Sequence, residues 1–141
     1  MLDGGSEVHI TSNLANLKEV EKFKTPVKLM VALKGAFLYA THRGKMSIKV
    51  ENCYKEQEII DLSNVHFCPD SPHDILSGIR VTETGLLNIN HGKLEAHIYY
   101  LQTNKILFSA EKVEGVFQIS YELKNEVDEN KIVMPVRDQR E

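Results

Sequence analysis

Short apolar or alternating stretches, each followed by a turn signal, fill most of the chain after residue 25. Such segments are typical of β-strands, whereas a helix shows apolar residues that repeat every three or four positions. Residues 45–50 alternate most regularly between polar and apolar side chains, which predicts a strand with one face toward solvent. We therefore expect a mainly β fold. The predicted strands cover residues 27–33, 37–41, 45–50, 58–62, 64–68, 86–90, 94–101, 106–110 and 116–123.

Glycines and prolines predict where these strands end. Gly35 can adopt positive φ and predicts the turn of a hairpin between the first two strands, and Gly44 predicts a second break. Pro69 and Pro72 cannot donate ladder hydrogen bonds, so the sheet is expected to be interrupted there.

One short helix is expected after these prolines. Ser77 predicts its N-cap, and Gly85 predicts a left-handed residue that ends it. The last four strands are separated by Asn-, Gly- and Thr-containing turns and predict an antiparallel meander. Near the start, residues 12–23 predict either a helical turn or a loop, and periodicity does not decide between them.

Composition predicts one domain with no strong attraction for charged polymers. Hydrophobic residues make up 42% of the chain, enough for a core, and the net charge of −3 favours neither nucleic acid nor an anionic membrane as a partner. Cys53 and Cys68 are too few for a disulfide scaffold, which suits a reducing compartment. We expect a folded domain over residues 1–123 and a charged, flexible tail over residues 124–141.

Histidines and serines offer little candidate chemistry. No histidine belongs to a His-x-x-x-His pair or a Cys/His cluster, so structural or surface roles are favoured over metal binding. Ser6 and Ser77 lack the glycine pattern of a nucleophile elbow, which argues against serine hydrolysis. The six histidines are His9, His42, His66, His73, His91 and His97.

The N-terminal segment carries a family resemblance. Residues 2–11 read Leu-Asp-Gly-Gly-Ser-Glu-Val-His-Ile-Thr, and they resemble the active-site segment of the protease in copia-type retrotransposon polyproteins. In that family an apolar residue precedes Asp-Ser-Gly-Ala, and a His followed by an apolar residue comes soon afterwards. The resemblance continues over residues 26–29, 31–32, 37–41, 43–44, 65–69 and 74–77, and covers roughly residues 1–123. The matching positions are Leu2, Asp3, Gly5, His9 and Ile10, whereas Gly4 departs from the family's Ser.

The resemblance implies a fold and an activity. It implies a retropepsin-like closed antiparallel β-barrel with one short helix and a C-terminal β-meander. It also implies an aspartic endopeptidase that needs no metal or organic cofactor and cuts polyprotein peptide bonds as a homodimer. The cellular place implied is the cytoplasm or retrotransposon particles. The residues implied are Asp3 as catalyst, Gly4 and Gly5 in the active-site loop, and Leu33, Lys34, Gly35 and Ala36 in a substrate-binding flap.

Two hypotheses remain open from the sequence. An active enzyme would pair Asp3 with the same residue of a second chain, because two carboxylates must share one proton to activate water. Gly4 lacks the hydroxyl that would hydrogen-bond across such a dimer, which favours the alternative of a catalytically inactive β-barrel that binds peptides, serves as an interaction module or persists as a relic. The proposed flap likewise has a plain surface hairpin as its alternative.

Overall fold

The protein folds as two β-sheets joined by short connections. The computed structural model describes residues 1–4, 6–30, 37–52, 54–83, 85–113, 116–119 and 121–123. Its strands are β1 (Leu2–Asp3), β2 (Ile10–Thr11), β3 (Lys18–Met30), β4 (Phe37–Glu51), β5 (Gln57–Phe67), β6 (Leu76–Ser77), β7 (Leu87–His91), β8 (Glu95–Tyr100), β9 (Ile106–Val113), β10 (Val116–Gln118) and β11 (Glu122–Leu123). A 3-10 helix spans Leu14–Asn16, and the helix α1 spans Gly78–Glu83. The expected mainly β fold is confirmed.

One sheet contains six strands in the order β6-β1-β10-β9-β8-β7. Strands β7 to β10 follow one another along the chain and pair antiparallel, which confirms the predicted meander. The N-terminal strand β1 lies inside this sheet, parallel to β6 and antiparallel to β10. Residues at the two ends of the described chain therefore meet in one sheet.

The other sheet contains the long hairpin of β3 and β4. Its order is β11-β4-β5-β2, and β3 pairs with β4 beside β11. An isolated bridge between Ile10 and Ile75 links this sheet to the region of β6. The sheet curls as a half-barrel, and the described strands do not show the closed barrel that the resemblance implies.

The predicted alternation along β4 places one face in the main core. Met46, Ile48 and Val50 are buried and pack in a cluster with residues of the meander, including Ile98 and Phe108. A second cluster lies under the β3–β4 hairpin. Burial of apolar side chains between the two sheets is the main source of stability.

The helix follows its sequence signals. The Ser77 Oγ accepts a hydrogen bond from the backbone N–H of Arg80 at 3.2 Å, as an N-cap residue does. Gly85 has a φ of 76°, so the left-handed residue beyond the helix is also as predicted.

Four boundaries differ from the sequence-based expectations. Residues 12–23 contain the 3-10 helix and the start of β3, which begins at Lys18 and not near residue 27. Strand β4 runs through Gly44 without a break, and β5 is one strand where two were expected. The expected strand 116–123 is split into β10 and β11, which belong to different sheets.

Residues 31–33 of the first expected strand and its turn at 34–36 lie outside the described residues, as do the tail 124–141 and Cys53.

Gly44 is required by a close approach of the backbone and not by a turn. A Cβ at this position would lie 2.7 Å from the backbone oxygen of Lys18 and 3.2 Å from the Cβ of Leu17. We expect Gly44→Ala to lower the free energy of unfolding by about 1–3 kcal/mol, because a backbone atom must move to relieve the overlap. Urea denaturation would measure the loss. Gly4→Ala is the control, since nothing lies within 4 Å of a Cβ there, and equal stability of the two variants would contradict the prediction.

Candidate functional site

Asp3 lies at the end of a strand that is paired on both edges. Leu2 is in register with Leu76 of β6 on one side and with Phe117 of β10 on the other, and Asp3 is in register with Ser77. Leu2 and Asp3 are 5% and 8% exposed. The backbone that carries the Asp3 carboxylate is therefore fixed by its neighbours, and one of those neighbours comes from the far end of the described chain.

The segment after Asp3 packs against the start of α1. The Ser6 N–H donates to the backbone oxygen of Asp3 at 3.4 Å, and the Ser6 Oγ donates to the backbone oxygen of Val8 at 2.7 Å. A Cβ at Gly78 would lie 3.1 Å from the Cα of Gly4. Glycine at position 78 thus allows the loop to approach the helix closely. Gly4 itself is exposed, and Gly5, the other predicted loop residue, lies outside the described residues.

Ser77 connects the loop to the helix. Its side chain is fully buried, and its Oγ donates to the backbone oxygen of Ser6 at 2.6 Å while it caps α1. The backbone N–H of Ser77 donates to Nδ1 of His9 at 2.9 Å. One residue therefore joins the loop, the helix and the start of β2.

His9 is a buried, neutral histidine. Burial, with a smaller contribution from the nearby positive charge of Arg80, lowers the pKa of its imidazole from 6.5 to about 4. Because a backbone N–H can only donate, Nδ1 carries no proton, and the proton of the neutral ring is on Nε2. The backbone oxygen of His9 accepts from the N–H of His66 at 2.9 Å, which holds the residue to β5.

Arg80 adds a further link between α1 and the loop. Its Nε donates to the backbone oxygen of Glu7 at 2.8 Å, and its Nη1 donates to both carboxylate oxygens of Glu83 at 2.9 Å. The second contact is between exposed side chains and contributes little to stability. The first fixes the backbone of the loop.

The β3–β4 hairpin packs over the residues on either side of Asp3. Leu29 and Leu38, which face each other across the hairpin, belong to a buried cluster that also contains Met1 and Val8. The other face of the hairpin exposes Met30, Phe37 and Tyr39, which are 50–58% exposed. The predicted flap residues Leu33, Lys34, Gly35 and Ala36 lie outside the described residues, so the flap assignment stays a prediction. The rest of this cluster is Ile10, Ala40, Cys68 and Ile75.

Asp74 ties the two ends of the described chain together near the loop. Its carboxylate accepts hydrogen bonds from Thr11 Oγ1 at 3.1 Å, from the N–H of Ser12 at 3.1 Å and from Tyr121 OH at 2.9 Å. These bonds connect the segment before β6 to β2 and to the segment before β11. Asp74 therefore has a structural role in this region.

Other groups offer no second reactive centre in the described part of the chain. Burial, with a smaller contribution from Asp70, raises the pKa of the Cys68 thiol to about 12, so that thiol is unreactive at neutral pH. No group of three or more His, Cys, Asp or Glu side chains that could hold a metal ion occurs among the residues described. Within the same ranges, no helix has the length and apolar character needed to cross a membrane.

The comparisons with known proteins leave the family unassigned. No family model matches the chain, and no solved structure matches it. The sequence predicted the cap at Ser77, which is confirmed, and a catalytic role for Asp3, which stays a prediction. It predicted an ordinary packing role for His9, a position that matches the family, and no role for Arg80. Their contacts join residues more than 60 positions apart, which no local pattern signals.

Proposed function

We propose that the protein is an aspartic endopeptidase of the retropepsin type, which acts as a homodimer on polyprotein peptide bonds with Asp3 of both subunits as the catalytic pair. The observation that carries this proposal is the setting of Asp3. Asp3 ends a strand paired on both edges, and the residues from Ser6 to His9 that follow it are hydrogen-bonded to β6 and α1. The β3–β4 hairpin packs in one cluster with Met1 and Val8.

The chemistry explains why two subunits are needed. An aspartic protease activates water between two carboxylates that share a proton, because two like charges at close range cannot both ionise. The chain has one Asp-Gly-Gly sequence, at residues 3–5. A two-fold axis beside Asp3 would supply the second carboxylate from an identical chain. The dyad would then titrate as a unit and not as two separate groups.

We also propose that the half-barrel belongs to a closed, retropepsin-like barrel. Two features support it. Strands β1 and β6 lie parallel and adjacent, so the Asp3 loop and the start of α1 emerge from the same end of the two strands. The β3–β4 hairpin packs against Met1 and Val8, which precede and follow Asp3 in the sequence. Such a hairpin would bind an extended peptide by main-chain hydrogen bonds. The substrate is therefore a peptide segment, and the reaction uses no metal or organic cofactor. The cytoplasm, or a particle assembled there, is the proposed location.

Gly4 is the position where the proposed dimer can be strengthened. Gly4→Ser places a hydroxyl in open space next to Asp3, since nothing lies within 4 Å of a Cβ at Gly4. Two symmetric hydroxyl hydrogen bonds would add about 1–3 kcal/mol and tighten the dimer Kd by roughly 5- to 150-fold. Sedimentation equilibrium would measure the change. Gly4→Ala adds the same Cβ without the hydroxyl, so equal tightening by both variants would contradict the hydrogen-bond explanation.

The experiment that tests the proposal is cleavage of a mixed peptide library by the purified protein between pH 4 and 7, with sedimentation on the same sample. Cleavage by a dimeric protein supports the proposed activity. The proposal would be overturned if the wild type is a folded monomer that cleaves nothing and Gly4→Ser also cleaves nothing at concentrations where that variant is dimeric.

The alternative is a catalytically inactive β-barrel that binds peptides or another protein. It is favoured by Gly4, which has no side chain to bond across a dimer. The exposed Met30, Phe37 and Tyr39 on the outer face of the hairpin would give such a module an apolar contact surface. Retention of library peptides by a non-cleaving monomer, lost when Phe37 and Tyr39 are both replaced by Ser, would support this second function.

A further inference from the structure

Three hydrogen bonds hold the Asp3 loop to β6 and α1. Ser77 Oγ donates to the backbone oxygen of Ser6 at 2.6 Å, and Arg80 Nε donates to the backbone oxygen of Glu7 at 2.8 Å. In the third, the His9 imidazole accepts from the Ser77 N–H at 2.9 Å. The loop from Asp3 to His9 is thus anchored to β6 and α1 by residues on both sides of the connection.

The His9 contact differs from the other two because it depends on protonation. A protonated imidazole has an N–H on both nitrogens and no lone pair to accept a hydrogen bond. The Ser77 N–H would then face another N–H, and a charge would lie in a side chain that is 7% exposed. Protonation therefore breaks this anchor, whereas the Ser77 and Arg80 contacts keep their donors and acceptors.

The charged groups around His9 do not compensate such a charge. Arg80 and Glu83 on α1, Asp61 on β5 and Asp74 before β6 line the cavities that His9 also lines. Glu83 is paired with Arg80, Asp61 accepts from Ser47 Oγ at 2.6 Å, and Asp74 accepts from Thr11 and Tyr121, so none of these carboxylates is hydrogen-bonded to the imidazole. The positive charge of Arg80 opposes protonation of the imidazole.

We propose that His9 is a positioning residue that holds the Asp3 loop against β6 and α1 only while its imidazole is neutral. The inference rests on the proposed function of Asp3, because it makes His9 the group that limits activity on the acid side. A shared proton between two carboxylates favours mildly acidic conditions. Release of the loop by protonation of His9 sets a lower bound to that range.

His9→Asn keeps a hydrogen-bond acceptor at this position and removes the group that becomes protonated. The Asn side-chain oxygen can replace Nδ1 as the acceptor for the Ser77 N–H, but it does not become protonated between pH 3 and 7. We expect His9→Asn to cleave within about threefold of the wild-type rate at pH 6. Because wild-type His9 protonates with a pKa of about 4, the ratio of variant to wild-type rate should rise above its pH 6 value by about twofold at pH 4 and about fourfold at pH 3.5. His9→Ala lacks the acceptor and should have a lower kcat at pH 6.

Backbone amide NMR of the full chain provides a readout that does not depend on activity. In the wild type, the amide signals of Ser6, Glu7 and Ser77 should shift together as the pH falls, with a midpoint near that of the His9 ring signals. In His9→Asn this common transition should be absent, since the remaining buried histidine, His66, lies on β5 and contacts Phe23.

The two readouts distinguish the inference from the proposed activity. A Ser77 amide that does not follow the His9 ring, or a ratio of variant to wild-type kcat/KM that stays constant below pH 5, would overturn the role of His9. Absence of cleavage by the wild type at every pH would overturn the proposed activity, and the amide titration would still decide whether His9 holds the loop.

Discussion

Asp3→Asn is expected to abolish peptide cleavage, with kcat/KM at pH 5 lower by at least about 10³-fold, because the variant removes the carboxylate that activates water at the reacting carbon. Asparagine has nearly the same shape as aspartate, so the fold and the dimer should be retained. Cleavage assays give the loss of activity, and thermal unfolding with sedimentation on the same sample checks folding and subunit number.

Two controls sharpen this test. Asp70→Asn removes an exposed carboxylate outside the loop and should cleave at the wild-type rate. Because each active site takes one Asp3 from each subunit, an equal amount of Asp3→Asn mixed with wild type should lower the wild-type activity by about half through mixed dimers. Cleavage by Asp3→Asn at the wild-type rate would rule out the aspartic mechanism. Full activity in the mixture would rule out a shared site.

Acid is expected to destabilise the fold by up to about 3 kcal/mol through His9 alone, since its pKa falls from 6.5 to about 4 on folding. The unfolded chain binds a proton at His9 more readily than the folded chain does. With respect to His9, the fold therefore has its full stability above pH 6.5, and this stability is lost progressively as the pH falls toward 4. The pKa of His66 is also lowered, mainly by burial, and its effect has the same sign. Urea denaturation at pH 7, 5.5 and 4 would measure the loss.

Matched histidine variants assign the acid effect to its source. His9→Asn should lose less stability than the wild type between pH 7 and 4, while His91→Asn, which changes an exposed ring on β7, should lose as much as the wild type. Equal pH dependence in His9→Asn and the wild type would show that His9 is not the buried group responsible. The residual slope in His9→Asn would include the contribution of His66.

Local patterns predicted the elements whose partners are close in sequence. The meander β7 to β10 was expected from four short apolar segments with turns between them, and each strand pairs with the next. The cap at Ser77 and the left-handed Gly85 followed from residue chemistry. Strand β4 buries Met46, Ile48 and Val50 on one face, as its alternation predicted.

Elements that depend on distant partners were not predictable in the same way. Strand β3 begins in a charged stretch with exposed side chains, and its pairing with β4, including two register shifts, supplies what the local pattern lacks. Gly44 was interpreted as a break because glycine often ends strands, whereas its role is the close approach of Lys18. Asn64, with a φ of 53°, lies within β5 and does not end it.

The candidate site also has parts that the sequence suggested and parts that depend on distant partners. Asp3 was proposed because the order of residues after it resembles a family, and the hairpin of β3 and β4 was expected from turn signals. The anchors of the loop could not be found, because Ser77 and Arg80 become neighbours of residues 6–9 only after β6 pairs with β1. Contacts of this kind are set by tertiary structure and carry no local signal.

The pairing of Leu2 with Phe117 also has a consequence for the order of events during synthesis. A ribosome releases residue 2 long before residue 117, so β1 must wait for β10 while the β3–β4 hairpin and the β7–β9 meander, whose contacts are local, can form early. The strand that carries Asp3 therefore gains its second partner among the last steps of folding. A nascent chain interrupted before Val116 would hold an Asp3 segment without that partner, and the proposed activity would appear only once translation had passed this point.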